Sequence, residues 1–289
     1  MGEGRTAVRL NPLHNVVFAC IFQDEKKAGP AMLGFLNAVL KHVGEEPIAE
    51  IISMRSEYAV MGEGADQKYG RLDVRVKAES GRLFDIEVQI EKEYMNERGF
   101  FYGGRMGSEE FEAGTPYNRM PEVRVINLVD FYVRDDHSNV VEPVVLSYAN
   151  NPGEIATKKF IMYHIQLPAF RKAHKTLESV KGDSLLTWLY ALDRGYKSER
   201  EMEVLSDMTE GLKNFAARYN YAINDPDLIR RYRFFEDGQR DVATRISVAE
   251  EKAAKNKAIE VARGFKRDGI APEIISRNTG LSLAEIAEL

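Results

Sequence analysis

The chain has 289 residues, of which 44% are hydrophobic and 29% are charged. This length allows one large domain or a main domain with an appendage, and the composition can supply a sizeable core. The net charge of −5 excludes a general attraction to nucleic acid or to anionic membranes, but it does not exclude a local basic groove. The single cysteine, Cys20, excludes an intrachain disulfide framework and fits a reducing cytosol.

The sequence contains no apolar run of about eighteen residues and no secretory segment, so we expect a cytoplasmic protein without a membrane partner. Near the N-terminus, Asn11 is expected to cap a helix that has Pro12 at its first position. Apolar residues at helical spacing predict a second helix from about Pro30 to Val43, which Gly44 ends.

The middle of the chain combines strand and helix patterns. Residues 70–90 are typical of two strands and a turn, and the segment "EKEYMNERGFFYGGRMG" is typical of a helix. Three further segments rich in Val, Ile, Tyr and Phe predict strands, and their nearly continuous apolar runs indicate that both faces are covered. These segments are "EVRVINLVDFYV", "NVVEPVVLSYA" and "KFIMYHIQL".

From about Pro168 onward the pattern is helical, and it includes a long charged helix over roughly residues 227–263. Together the patterns predict an α/β fold with a helical C-terminal extension. We divide the chain into a core over residues 1–170, a helical extension over 171–245, and a charged helix with a short two-helix tail over 246–289.

The tail, "GIAPEIISRNTGLSLAEIAEL", has the outline of a helix-turn-helix joined at Gly280. Its last segment is short for a recognition helix, and phosphates would repel Glu285 and Glu288. The sequence therefore favours docking of the tail on the main domain or on a second subunit.

The two predicted strands at residues 70–90 place carboxylates on one face. In the first strand Asp73 alternates with apolar neighbours, and in the second strand Asp85 and Glu87 do so. A three-residue loop with Gly81 in the left-handed conformation would pair Asp73 with Glu87, with Cβ atoms about 4.5–5.5 Å apart.

Two like charges at this separation cost free energy unless something offsets them. A divalent cation bound by oxygen ligands would do so, and this type of site suits Mg²⁺ or Mn²⁺. The equally weighted alternative is a solvated polar face, on which basic side chains balance the acids and Asp85 is an exposed acid on the outer side.

An Asp, a short turn and then Glu-x-Gln resembles the signature of the PD-(D/E)XK nuclease superfamily. The stretch "QKYGRLDVRVKAESGRLFDIEVQ" is similar to the core of the bacterial recombination-promoting nucleases, a PD-(D/E)XK nuclease family transposase group. Further similarity lies in "LNPLHNVVFACIFQDEKKAGPAMLGFLNAVL", in "MYHIQLPAF" and in the last thirty residues, so the resemblance covers nearly the whole chain.

The resemblance implies a restriction-endonuclease-like core, with a central mixed sheet flanked by helices, and a Mg²⁺-dependent or Mn²⁺-dependent DNA endonuclease. By the same resemblance Asp73, Glu87 and the carbonyl of Val88 would bind the metal, and Gln89 stands where the superfamily often has Lys. The metal would lower the pKa of the attacking water and stabilise charge on the phosphate.

One departure concerns the first helix, where Asn15 and Ala19 replace an Asp and a Lys that are common in the family. Asn15 brings no charge, so the third acid is missing, and Glu57 or Asp24 are the candidates to replace it. The alternative to an active nuclease is therefore a catalytically weakened DNA-binding or interaction protein that keeps the fold.

Basic residues outside the motif are candidates for DNA binding. Lys68 matches a Lys of the family pattern, Arg98 could reach a phosphate beside the metal, and Arg230 and Arg231 lie in the basic and aromatic stretch "RRYRFF". We expect Phe101 to belong to the core. A homodimer would supply two active sites for cutting both strands of DNA.

Overall fold

We describe the protein from a computed structural model, in which residues 9–22, 25–58, 72–89, 92, 94–134 and 139–289 are described. The chain divides into two compact units, Met1–Tyr232 and Arg233–Leu289. The boundaries that the sequence suggested at residues 170 and 245 stay a prediction. Within the described residues, no helix combines the length and the apolar character that a membrane crossing requires.

The first unit is built on one mixed six-stranded sheet, which confirms the predicted α/β class. The strands are β1 (Ile51–Tyr58), β2 (Leu72–Ala78), β3 (Leu83–Gln89), β4 (Val123–Val129), β5 (Val141–Tyr148) and β6 (Asn151–Gln166). Their order across the sheet is β1-β2-β3-β4-β6-β5. The β3–β4 and β4–β6 pairs are parallel, whereas the other three pairs are antiparallel.

Helices cover the sheet and form the C-terminal part of the chain. They are α1 (Asn15–Phe22), α2 (Glu25–His42), α3 (Met95–Glu109), α4 (Leu167–Ala173), α5 (Ser184–Asp193), α6 (Glu199–Ser206), α7 (Glu210–Asn224), α8 (Pro226–Arg267), α9 (Pro272–Thr279) and α10 (Leu283–Ala287).

An aromatic cluster forms the core among helices α1, α2, α5 and α7. Phe22 contacts Phe35 and Phe215, and Trp188 lies against both of these rings, with ring centroids 5.8–6.3 Å apart. Helix α1 packs on β2 and α2 packs on β1, so this core continues onto one face of the sheet. Trp188 is buried.

Helix α3 covers the other face of the sheet, and glycines allow it to approach closely. A Cβ at Gly99 would lie 2.9 Å from Met162 Sδ, and one at Gly107 would lie 3.0 Å from Val123 Cγ2. These glycines and Gly103 recur every four residues and therefore lie on one side of the helix. These glycines lower the helix propensity of the segment, yet they permit its packing.

In the second unit, the two tail helices pack on the last turns of α8. Ala262 of α8 clusters with Ile275, Leu281 and Ile286. The ammonium of Lys266 donates to the carbonyls of Ile286 and Ala287, each at 3.0 Å. The tail therefore docks on its own long helix, a partner that the sequence analysis did not name.

Several predicted elements need correction. Asn11 Oδ1 accepts from the Leu13 amide at 3.0 Å, and α1 begins only at Asn15, so Asn11 caps a turn and not the helix. Strand β1 was not predicted, and β6 begins eight residues before Lys159, where its predicted segment starts. Strand β5 lies at an edge of the sheet and is largely exposed, whereas β4 is buried throughout, as predicted.

The close approach of α3 predicts opposite effects for two adjacent glycines. A Cβ at Gly103 would lie 2.7 Å from atoms of both Phe160 and Val125, whereas one at Gly104 would have nothing within 4 Å. We expect Gly103→Ala to lower the free energy of unfolding by about 1–3 kcal/mol through overpacking. Gly104→Ala should raise it by up to about 1 kcal/mol through helix propensity. Urea unfolding measures both, and equal shifts in the same direction would contradict this packing.

Candidate active site

A row of polar residues crosses all six strands of the sheet. The backbone register aligns one residue of each strand, in spatial order Glu57, Asp73, Glu87, Asn127, His164 and Glu142. We call this set the polar row. It includes the predicted pairing of Asp73 with Glu87, which is confirmed.

The turn between β2 and β3 fixes this register. Gly81 has φ of +79°, the left-handed conformation that was predicted, and the Ala78 amide donates to the Arg82 carbonyl at 2.9 Å. A glycine adopts this conformation without the steric cost of a Cβ. A slip of one residue would move the acids to the opposite face, so the turn determines where the carboxylates lie.

Both acids of β3 with described side chains are buried. Asp85 is 0% exposed and Glu87 is 2% exposed, because α3 lies over this face. The alternative of a solvated polar face is therefore wrong for these two residues. The expectation that Asp85 is an exposed acid on the outer side is also wrong.

Arg98 of α3 lies beside Glu87. Its Nη2 is 3.5 Å from Glu87 Oε2, and the Arg98 side chain is itself only 16% exposed. A guanidinium at this distance offsets part of the cost of burying a carboxylate. Arg98 was predicted to reach a phosphate, and in the structure it contacts an acid of the polar row.

His164 connects the polar row to the start of α3. Its Nε2 lies 2.9 Å from Asn96 Oδ1, and its Nδ1 lies 3.1 Å from Asn127 Nδ2. Burial lowers the pKa of His164 to about 4, so the imidazole is neutral at neutral pH. Nε2 therefore carries the proton and donates to Asn96, while Nδ1 accepts from Asn127.

The remaining predicted residues divide into two groups. The structure describes the backbone of Asp73, Glu57 and Gln89 but not their side chains, and Lys68 and Asp24 lie outside the described residues. Asn15 is half-buried at the start of α1, which packs on β2, the strand of Asp73. The roles assigned to these residues stay predictions.

Arg230 and Arg231 are exposed in the first turns of α8. Arg230 lies 2.5 Å from Asp227, and no contact among the described residues links either arginine to the polar row. Phe101 of α3 is 62% exposed, so its assignment to the core is wrong. The structure thus brings Arg98 to the site, whereas the DNA-binding roles of Arg230 and Arg231 stay predictions.

Among the residues that the structure describes, no group of three His, Cys, Asp or Glu side chains is arranged to hold a metal ion. The side chain of Asp73 is not among them. The assignment of Asp73, Glu87 and Val88 as metal ligands therefore stays a prediction, supported by the backbone register alone.

A family model described as PD-(D/E)XK nuclease family transposase matches residues 12–249. The chain belongs to this family. The match begins before α1, includes all six strands and ends within α8, so the family resemblance of the sequence is confirmed. No curated protein and no solved structure matched the chain.

Membership of a PD-(D/E)XK nuclease family supports a nuclease-like activity with DNA as substrate. Nucleases of this superfamily typically use divalent metal ions. The mixed sheet flanked by helices fits the fold of the superfamily.

Sequence reasoning missed Asn127 and His164. Each interrupts a nearly continuous apolar run, Asn127 in "VRVINLV" and His164 in "FIMYHIQL". A polar residue in a strand that is buried on both faces needs a partner, and this was the signal available in the sequence. The register that joins the two residues involves parallel strands far apart in the chain.

The buried His164 predicts a pH-dependent loss of stability. Its pKa is about 4 in the folded state, against about 6.5 in an unfolded chain, so the unfolded state binds the proton first as pH falls. Stability that is present above about pH 6.5 is therefore lost toward pH 4. Between pH 7 and 5.5 the free energy of unfolding of the native protein should fall by about 1 kcal/mol more than that of His164→Gln. Urea unfolding of both proteins at each pH measures this difference. Parallel pH profiles for the two proteins would show that His164 does not titrate in this way.

Proposed function

We propose that the chain is a divalent-metal-dependent DNA endonuclease of the recombination-promoting type, which hydrolyses phosphodiester bonds. One observation carries this proposal: the backbone places Asp73 directly opposite Glu87, in a chain of a PD-(D/E)XK nuclease family. Paired acids on adjacent strands are the arrangement that a shared cation stabilises.

The donor set fits Mg²⁺ or Mn²⁺, because every proposed ligand is an oxygen. Asp73 and Glu87 would supply carboxylates, and Val88 would supply a backbone carbonyl. Among the described β2–β3 pairs, the last is Asp73 with Glu87, so the backbone of Val88 lies beyond the paired segment on that side. When bound, the cation would lower the pKa of an attacking water and stabilise the charge that develops on the phosphate.

The protein's own residues would prepare the site. Arg98 contacts Glu87 and would restrict the position of its carboxylate. Gln89 has an amide that can orient a water by hydrogen bonds but adds no positive charge. The site would therefore rely on its cation more than a site with Lys at this position.

DNA is the proposed partner, and a homodimer with two such sites is proposed for cleavage of both strands. We place the protein in a reducing bacterial cytoplasm, which its single cysteine fits.

The first test is nicking of supercoiled plasmid by the purified chain with Mg²⁺ or Mn²⁺, compared with EDTA. We expect Asp73→Ala and Glu87→Ala each to lower the rate about 100-fold or more, since each removes a charged ligand. The matched control is Glu210→Ala, which changes an exposed acid on α7 and should leave the rate unchanged. Cleavage that survives both Asp73→Ala and Glu87→Ala would come from another site.

A second test concerns the third acid. The register places Glu57 opposite Asp73, in the polar row, whereas Asn15 on α1 carries no charge. We propose that Glu57 supplies the missing carboxylate. Glu57→Gln should slow nicking about tenfold or more, and Asn15→Asp should restore part of the rate in the Glu57→Gln background. A wild-type rate in Glu57→Gln would exclude Glu57 from the site.

The second candidate function is a catalytically weakened DNA-binding or interaction protein. Asn15 in place of an acid and the net charge of −5 favour it. A wild-type chain that binds DNA in a gel-shift assay but shows no nicking with either metal would support this candidate over the first.

A further inference from the structure

Asn127 has an oxygen that no described residue satisfies. Its side chain is 0% exposed and its Nδ2 lies 3.1 Å from His164 Nδ1. Its Oδ1 is buried and has no hydrogen-bond partner among the residues that the structure describes. A buried acceptor without a donor costs free energy, so this atom needs a ligand.

The orientation of the Asn127 amide is set by the tautomer of His164. Asn96 Oδ1 is only an acceptor, so His164 Nε2 must carry the proton, and Nδ1 is left to accept. Asn127 must therefore turn its nitrogen toward His164 and its oxygen away from it. The strand on the other side of Asn127 is β3, where its register partner is Glu87.

Two oxygen acceptors consequently occupy neighbouring positions of the buried polar row. Glu87 offers a carboxylate and Asn127 offers an amide oxygen, and neither can donate to the other. A cation, or a water that the cation binds, can contact the Glu87 carboxylate and supply the partner that Asn127 Oδ1 lacks among the described residues. Amide oxygens are ordinary ligands of hard divalent cations.

We propose that Asn127 is a neutral oxygen donor of the divalent-cation site, held in place by His164 and Asn96. This inference rests on the proposed function, since it adds a donor beside Glu87 to the same site. It also gives α3 a role in metal binding, because Asn96 lies in the first turn of that helix.

The test is calorimetric titration of the full chain with Mn²⁺ in the absence of DNA, so that the readout is binding and not activity. Asn127→Leu removes the oxygen and should weaken Mn²⁺ binding about tenfold. Asn127→Asp keeps an oxygen and adds a charge, and it should bind Mn²⁺ about tenfold more tightly than the native protein. Weaker binding by Asn127→Leu together with tighter binding by Asn127→Asp would show that an oxygen at position 127 contributes to the cation site.

The matched control is Val125→Ala, a buried change two residues away on the same face of β4. It disturbs packing without removing a polar atom, so it should leave Mn²⁺ affinity unchanged. Far-UV circular dichroism establishes that each variant folds. If Asn127→Leu does not fold, the direction of the Asn127→Asp effect decides the proposal, and unchanged or weaker binding overturns it.

The Mn²⁺-binding results distinguish a failure of this inference from a failure of the proposed function. Native affinity in Asn127→Leu, with binding lost in Asp73→Ala, would overturn the role of Asn127 and leave the metal site in place. A native protein that binds no Mn²⁺ would overturn the proposed function and this inference together.

Discussion

The site depends on the burial of Glu87, Asn127 and His164 beneath α3. A carboxylate and an imidazole that are removed from water need partners, and α3 supplies Arg98 to Glu87 and Asn96 to His164. The short Asn96 side chain can reach the sheet only if the helix backbone lies close to it. The glycines of α3 permit that approach, so the helix that excludes water also provides the polar groups that replace it.

The two faces of the sheet differ in the residues that they bury. The face beneath α1 and α2 joins the aromatic core. Under α3, apolar residues such as Val123 and Met162 occupy the starts of the parallel segments, and the polar row lies nearer their carboxyl ends. Ligands in α/β sheets commonly bind at the carboxyl ends of parallel strands, and this division leaves that edge for chemistry.

Local features of the fold were predictable from the sequence, and the distant pairings were not. The alternating pattern and Gly81 were enough to pair Asp73 with Glu87, because a tight turn fixes the register between adjacent strands. Burial of Asp85 was missed because it results from α3, which packs from elsewhere in the chain. Asn127 lies beside His164 through the parallel β4–β6 pairing and beside Glu87 through the parallel β3–β4 pairing, and such crossovers leave no periodic signal in sequence.

The balance of charge at the site explains why neutral amides surround it. Asp73 and Glu87 bring two negative charges, and Arg98 is the cation that the structure places beside Glu87. A further buried arginine would compete with a metal for the same oxygens, because its guanidinium is permanently charged and binds carboxylates in bidentate fashion. Asn127, by contrast, can offer an oxygen without adding to the repulsion between the acids. In the proposed metal site, neutral donors beside the acid pair would favour a small divalent cation over a guanidinium.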